Sequence, residues 1–302
     1  MLQIRTVLCP VDFTDVNTRE LDQALEICRS FGSRLILHHN VSNIPPTASV
    51  SWMYHQEHPS SHSPEEMATR KLRALLATLP PEVRPEARLS NGGTASSILS
   101  AEERVHADLV VLATHGPTTD DHTSVAEQIA DESNCPVLVL HDGIESILRL
   151  ASDHEILDVL VPTDFSPSGQ SAMSYAFELA RLLPLRIHIL HVLPVSGNRV
   201  WGEYGPPIVG SQLSESEDSD ELYLRLGALV PDDLQNLVSL YVEVGEPVHK
   251  IMEASYRLGA ACIIMGTHAR GFLRRIFTRD TSREVLRQAT CPVWVVPEKM
   301  AA

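Results

Sequence analysis

Short apolar runs alternate along the chain with segments in which apolar residues recur at helical spacing. In the second half the runs are ILDVLVPT, RIHILHVL, LVSLYVEV, AACIIMGT and PVWVV. Their continuous hydrophobicity is typical of parallel strands that are covered on both faces. The segments between them predict helices. Ser166 is expected to be an N-cap before Pro167, and a helix that opens at Pro247 is expected to stop at Gly259 in the left-handed conformation.

The first half of the chain has the same pattern. TVLCPVD, RLILHHN, the region near ARLSN, DLVVLAT and PVLVL predict its five strands. Ser63 followed by Glu66 has the spacing of a capping box and predicts the start of its second helix. Strands and helices in alternation predict an α/β fold, in which right-handed crossovers build a doubly wound, five-stranded parallel sheet.

Three sequence blocks recur in the same order in both halves, which indicates a duplicated domain. The matched blocks are VLCPVDFT and VLVPTDFS, LATHG and MGTHA, and CPVLVL and CPVWVV. We therefore predict two tandem α/β domains, residues 1–142 and 156–302, each with its own five-stranded parallel sheet. The linker between them is expected at about residues 143–155.

The composition narrows the choice of partners. The 302 residues carry 24 basic and 39 acidic side chains, a net charge of −15. Nucleic acid and anionic membrane surfaces would repel this charge, so neither is an expected partner. No apolar run reaches the roughly 18 residues of a spanning helix, and the N-terminus does not resemble a signal peptide. Five cysteines without a CxxC pair indicate reduced thiols, so we expect a cytoplasmic protein.

Parallel sheets bind ligands at the carboxyl ends of their strands, and two places at that edge carry polar residues in both copies. Asp12 and Asp164 follow the first strand of each copy, where a carboxylate either caps the next helix or hydrogen-bonds a ribose or adenine group. The second place is a turn of small residues after the fourth strand, where backbone amides can approach an anion or a Thr-His pair can satisfy backbone groups. Its residues are Thr114, His115 and Gly116 in copy one, and Gly266, Thr267 and His268 in copy two.

The order of VPTDFS, ILHV, VGEP, MGTHARG and CPVWVV resembles the universal stress protein family, and the duplication resembles its tandem-domain members. The resemblance covers nearly the whole chain. It implies cytoplasmic domains that pair through their fifth strands, and in some members ATP binding through a Gly-x2-Gly-x9-Gly-Ser/Thr motif. Since both fifth strands lie in one chain, we predict an intramolecular pseudo-dimer with antiparallel contact between residues 137–140 and 293–296. A homodimer of two chains is a further expectation.

Both copies depart from that ATP motif. In copy two Gly266 keeps the first glycine, but Ala269 stands at the second, Arg279 at the third and Asp280 at the Ser/Thr position. In copy one the loop is shorter than the motif requires, and the aligned residues are Ala113, Gly116, Thr123 and Ser124.

The resemblance implies a set of candidate nucleotide-binding residues in each domain. Those of the second domain are Asp164, Val192, Gly266, Thr267, His268, Gly271, Arg279, Asp280, Thr281 and Ser282. Those of a degenerate first site are Asp12, Thr114, His115, Gly116, Thr123 and Ser124.

Charge separates the two copies further. Copy two carries a run of arginines: Arg270, Arg274, Arg275, Arg279, Arg283 and Arg287. The corresponding stretch of copy one is acidic: Asp120, Asp121, Glu127, Asp131 and Glu132. The arginines are candidates either for neutralising phosphates or for pairing with acidic residues on their helix or on a partner. We therefore expect ATP or another adenine nucleotide, where it binds, in the second domain.

A long loop follows the second strand of each copy. The aromatic residues of these loops are Trp52, Tyr54, Trp201 and Tyr204. Such loops are expected to be lids over the strand ends, aromatic contacts between the two copies, or loops with one aromatic anchor. His55, His58 and His62 in the first loop have a spacing that permits a metal ion, but nothing in the sequence requires one, and no metal site is predicted.

The sequence contains no Ser-His-Asp order, HExxH motif or P-loop lysine, so an enzyme is not expected. The resemblance favours a stress-response regulator that responds to an adenine nucleotide. Two alternatives stay open: an interaction protein that acts through partners without a nucleotide, and a binder of an apolar or lipid-like ligand, which the aromatic loops suggest.

Overall fold

The first half of the chain folds into five strands and four helices within the described residues. The structure is a computed structural model, and it describes residues 2–13, 18–41, 63–113, 124–141, 156–194, 215–267 and 279–298. The strands of this half are β1 (Thr6–Pro10), β2 (Arg34–Asn40), β3 (Glu86–Ser90), β4 (Leu109–Ala113) and β5 (Val137–Leu140). Its helices are α1 (Thr18–Phe31), α2 (Pro64–Thr78), α3 (Thr94–Val105) and α4 (Val125–Glu132), with a short 3₁₀ turn at Pro81–Val83.

The second half repeats this order of elements. Its strands are β6 (Leu157–Thr163), β7 (Leu185–Leu193), β8 (Val238–Val244), β9 (Cys262–Thr267) and β10 (Val293–Pro297). Its helices are α5 (Pro167–Ala180), α6 (Glu215–Gly227), α7 (Pro247–Leu258) and α8 (Arg279–Gln288), with a 3₁₀ segment at Asp232–Leu237. The linker expected at residues 143–155 lies outside the described residues.

All ten strands join one continuous sheet, in the order β3-β2-β1-β4-β5-β10-β9-β6-β7-β8. Each half is parallel and doubly wound, which confirms the predicted α/β fold. The two halves meet where β5 pairs antiparallel with β10, with Val139 opposite Val293 and Val137 opposite Val295. The predicted contact between residues 137–140 and 293–296 is therefore present, and it fuses the two expected sheets into one.

Helices cover both faces of this sheet and bury two apolar cores. One core collects side chains from α1, α2, α5 and α6, and the other collects them from α3, α4, α7 and α8. Each core runs across both halves of the chain, so the pairing of β5 with β10 also joins the hydrophobic layers. All five cysteines are buried free thiols, as expected of small core residues. None of the described helices has the length and hydrophobicity that a membrane crossing requires.

Local sequence signals set the helix ends. The Ser63 hydroxyl accepts a hydrogen bond from the Glu66 amide while the Glu66 carboxylate accepts one from the Ser63 amide, which confirms the capping box. Ser166 caps α5 through the Gly169 amide, and Pro167 is its first residue. Gly259 ends α7 at φ = 58°, in the left-handed region that favours glycine.

Helices α4 and α8 face each other across the β5–β10 junction and form two ion pairs whose carboxylates are buried. The Arg283 guanidinium donates to Asp131 Oδ2 at 2.7 and 2.9 Å, and Arg287 donates to both carboxylate oxygens of Glu127 at 2.8 and 3.1 Å. Both carboxylate side chains are only 4% exposed. These two arginines therefore neutralise acids of the other domain, so of the two roles that the sequence left open for them the structure shows the pairing with acids.

The ion pair of Arg287 with the buried Glu127 carboxylate predicts a large cost for removing the arginine. In Arg287→Met the Glu127 carboxylate stays buried without its cation, so the free energy of unfolding should fall by about 3 kcal/mol. Urea unfolding at neutral pH measures this fall. The double variant Arg287→Met/Glu127→Met should recover most of it. Arg181→Met removes ion pairs with Glu178 and Asp233, whose side chains are 30% and 57% exposed, and should cost less than about 1 kcal/mol. Equal losses at Arg287 and Arg181 would contradict the buried role.

His38 in β2 is buried in its uncharged form. Its Nε2 lies 2.8 Å from Ser90 Oγ on the neighbouring strand, and the residue is 1% exposed. Burial, with smaller contributions from the charges of His39 and Arg104, lowers the pKa of His38 from 6.5 to about 4. The unfolded chain therefore takes up a proton near pH 6.5 that the folded protein does not accept until the pH approaches 4.

The free energy of unfolding should consequently fall as the pH drops below 6.5, and part of this fall should come from His38. With a folded pKa of about 4, the contribution of His38 amounts to about 2 kcal/mol between pH 7.5 and pH 5. Leu190 is the residue of the second domain that corresponds to His38. In His38→Leu the contribution of His38 to the pH dependence should be absent. Urea unfolding at the two pH values checks the difference, and an identical pH dependence of variant and wild type would contradict it.

Candidate functional site

The turn that leaves β6 at the carboxyl edge of the second domain is held by its own side chains. The Thr163 hydroxyl accepts a hydrogen bond from the Phe165 amide at 3.2 Å, and Asp164 Oδ1 accepts one from the Ser166 amide at 3.0 Å. Phe165 has φ = 60°, a left-handed conformation that is strained for a side chain of its size. Asp164, 7% exposed, thus fixes the strained turn before α5 by holding the amide of its N-cap residue Ser166, a structural role in place of the direct helix cap that the sequence left open.

Gly266 near the end of β9 touches the backbone of this turn. A Cβ atom at Gly266 would lie 2.2 Å from the carbonyl oxygen of Ser168 and 2.9 Å from the amide nitrogen of Gly169. The glycine that matches the first position of the ATP motif is therefore required for packing the start of α5 against β9. Its presence has a structural cause that does not depend on a phosphate.

A histidine, a phenylalanine and a cation form a stack at the same edge in both domains. His191 donates its Nδ1 proton to the carbonyl oxygen of Thr163 at 2.8 Å, and its ring lies 4.6 Å from that of Phe165. The Arg225 guanidinium from α6 lies 4.1 Å from the centroid of the same Phe165 ring. Burial is the main cause that lowers the pKa of His191, so the imidazole is neutral at neutral pH.

The first domain has the same stack with other residues. His39 donates to the carbonyl oxygen of Val11 at 2.8 Å, its ring lies 4.4 Å from Phe13, and Lys71 Nζ lies 5.2 Å from the centroid of the Phe13 ring. Sequence analysis missed these residues. The recurrence of a histidine at the end of the second strand and of Phe after Asp in both copies was a signal that could have found them.

The structure brings part of the second candidate set to one edge. Val192 and Thr267 are buried near the carboxyl ends of β7 and β9, which flank β6 and Asp164. Thr281 and Ser282 are buried in the first turn of α8, which Arg279 and Asp280 open. His268, Gly271 and the arginines at 270, 274 and 275 lie outside the described residues.

Of the candidate nucleotide-binding residues of the first domain, the structure describes only Asp12 and Ser124. Asp12 is exposed after β1, and Asn40 takes the place in β2 that Val192 has in β7. Ser124 is the N-cap of α4, where its hydroxyl accepts a hydrogen bond from the Glu127 amide at 3.1 Å. Thr114, His115, Gly116 and Thr123 lie outside the described residues.

Metal coordination has no support in the part of the chain that the structure describes, where no group of three or more His, Cys, Asp or Glu side chains is placed to hold an ion. His55, His58 and His62 lie outside it, as do the aromatic residues of both long loops.

The fold and the strand-end turns define a doubly wound α/β protein built from two copies of one domain. The sequence profile of the universal stress protein family matches this chain twice, at residues 3–141 and 156–297. The chain therefore belongs to the universal stress protein family.

Individual relatives agree with this assignment. A universal stress protein of Mycolicibacterium smegmatis is 27% identical over 176 residues, a match that covers 57% of this chain and 55% of that relative, about half of each. The universal stress protein MJ0531 of Methanocaldococcus jannaschii is 27% identical over 46% of this chain and 80% of its own length. The crystal structure of a universal stress protein from Archaeoglobus fulgidus covers 98% of this chain and 100% of its own at a TM-score of 0.63 and 19% identity, which shows the shared fold.

The contact of Gly266 with the start of α5 predicts that no side chain is tolerated there. In Gly266→Ala the strand or the helix must move, so the free energy of unfolding should fall by about 2 kcal/mol or more. Thermal and urea unfolding measure the loss. Gly227→Ala at the end of α6 is the matched control, because its Cβ would make an ordinary 3.8 Å contact with Leu240 and stability should stay within about 1 kcal/mol. Similar stability of the two variants would show that α5 and β9 are not tightly packed.

Proposed function

We propose that this chain is a cytoplasmic stress-response regulator that works by binding and not by catalysis. Its ligand would be ATP or another adenine nucleotide, held at the carboxyl edge of the second domain. The nucleotide, the choice of domain and the regulatory role are proposals, whereas membership of the family rests on the two profile matches.

One observation carries the choice of site. The strands β6, β7 and β9 are adjacent and parallel, and their crossovers leave the sheet in opposite directions. Asp164 follows β6, Val192 is the next-to-last residue of β7, and Thr267 ends β9. Ligands of doubly wound sheets bind in the crevice at this switch point. Arg225 adds a cation at the edge of the same turn through its contact with Phe165.

A second candidate function is an interaction protein that needs no nucleotide. It is favoured by the pairing of Arg283 with Asp131 and of Arg287 with Glu127, because those guanidinium groups are already neutralised and cannot serve a phosphate. Asp164 and Gly266 likewise have structural tasks in the α5 turn. A domain whose candidate ligand residues are engaged in structural contacts can still bind partner proteins on its surface.

Calorimetric titration of ATP into the full chain tests the proposal, with equivalent aspartates as a matched pair. Asp164→Asn keeps an oxygen that can accept the Ser166 amide but removes the negative charge available to a ribose hydroxyl. ATP affinity should fall about ten-fold, the loss expected for a charge-assisted hydrogen bond. Asp12→Asn, the same change in the first domain, should leave the affinity unchanged.

Other outcomes separate the alternatives. Equal losses in both variants would contradict the preference for the second domain, and no ATP binding by the wild type would favour the interaction protein. Mass spectrometry of the gently purified protein adds a direct readout, in which a retained lipid would favour the apolar-ligand alternative.

A further inference from the structure

A pocket lies in the first domain, on the face of the sheet that α3 covers. It encloses about 200 Å³ between β2, β3 and α3, and its lining extends from Ser97 in the first turn of α3 to Val105 in the last turn. Three arginines, Arg34, Arg88 and Arg104, line it together with His38 and Ser90. Ile36, Ala101 and Val105 form an apolar part of its wall. We call this set of residues the basic pocket; its positive lining is unexpected in a chain with a net charge of −15.

The second domain is a copy of the same fold, so its residues can be compared with those of the basic pocket. The strand registers align Arg88 with Tyr241 and Ser90 with Glu243, and the matching ends of α3 and α7 align Arg104 with Arg257. In the second domain Glu243 carries the carboxylate: Arg257 Nη2 lies 2.6 Å from its Oε1, and Lys250 Nζ lies 3.5 Å from its Oε2. Its side chain is 17% exposed.

The first domain keeps the cation but lacks the carboxylate. Ser90 stands where Glu243 stands, and among the described residues no acidic side chain pairs with Arg104. Arg88 replaces Tyr241, which adds a second cation at the position where Tyr241 packs against His188 and Arg257. The only acid that the described residues bring to these arginines is Glu86, which lies 2.8 Å from Arg88 and 3.9 Å from Arg34.

From this difference between two copies of one fold, we propose that the basic pocket of the first domain binds a small organic carboxylate, whose anionic group takes the place that the Glu243 carboxylate has in the second domain. Guanidinium groups match carboxylates through paired hydrogen bonds, and the apolar wall suits a short aliphatic chain. The site is independent of the proposed nucleotide site, since its lining residues all belong to the first domain.

Two features prepare the pocket for a ligand. Arg34 is fixed in place, because its Nε donates to Thr6 Oγ1 and its Nη2 donates to the carbonyl oxygen of Val105, both at 3.0 Å. Ser90 is fixed by its hydrogen bond with His38. His38, whose pKa is lowered to about 4, is a weak base at neutral pH, so the Ser90–His38 pair serves binding and not nucleophilic attack.

Succinate is the test ligand, because it is a short dicarboxylate without a phosphate or a base. Its dissociation constant for the full chain is measured by saturation-transfer NMR at constant ionic strength, with chloride as the counter-anion. We expect saturable binding by the wild type and at least ten-fold weaker binding by Arg104→Met. Ser90→Glu, which introduces the carboxylate of the second domain, should likewise weaken binding ten-fold or more.

Matched controls separate the proposal from trivial causes. Ser90→Gln loses the same hydroxyl as Ser90→Glu without adding charge, so it should weaken binding clearly less than Ser90→Glu does. Arg257→Met removes the equivalent arginine of the second domain, where Glu243 already occupies the site, and should have no effect. Circular dichroism confirms that each variant is folded. Absence of saturable succinate binding by the wild type, or binding by either Arg104→Met or Ser90→Glu as tight as that of the wild type, overturns the proposal. Inorganic phosphate is the second titrant, and tighter binding of phosphate than of succinate would overturn the choice of a carboxylate.

Discussion

The architecture depends on the antiparallel pairing of β5 with β10. Without it, the apolar strands at 137–140 and 293–296 would be exposed sheet edges, and each domain would present an unpaired row of backbone groups. The pairing also brings α4 beside α8, where the acids of one copy meet the arginines of the other. Two identical first domains joined in the same way would place Glu127 opposite Asp131, a contact of like charges, so the charges favour the pairing of unlike copies.

The two copies share one fold and one stack of aromatic rings, but they differ in the charged side chains on the other face of the sheet. His39 and His191 each hydrogen-bond the equivalent carbonyl oxygen of their own domain, and Phe13 and Phe165 stack on these histidines beside a cation. On the other side of the sheet the copies differ: Glu243 and Arg257 neutralise each other in one, whereas Ser90 and Arg104 leave a pocket in the other. Duplication followed by such exchanges allows one chain to hold two unlike sites on one fold.

Individual site residues show why sequence reasoning about function has a limit. Asp164 and Gly266 match a ligand motif by position, and in the structure both have packing tasks in the turn that starts α5. Arg283 and Arg287 belong to a run of arginines, but the structure gives them partners more than 150 positions away in the chain. A motif records residue types and spacing, and neither tells which neighbour a side chain will meet after the sheet has closed.

The sequence by itself determined the duplicated doubly wound fold, the helix caps at Ser63 and Ser166 and the stop at Gly259, and the family resemblance implied the pairing of the fifth strands. Hydrophobic period and capping chemistry act locally or through repeated patterns, so they can be read along the chain. Only the tertiary structure decided that Glu127 and Asp131 are neutralised, that Gly266 packs against Ser168, and that Arg104 lines a pocket without a carboxylate. These outcomes depend on contacts between residues distant in sequence, where the balance of charge and volume is set by strand register and helix placement.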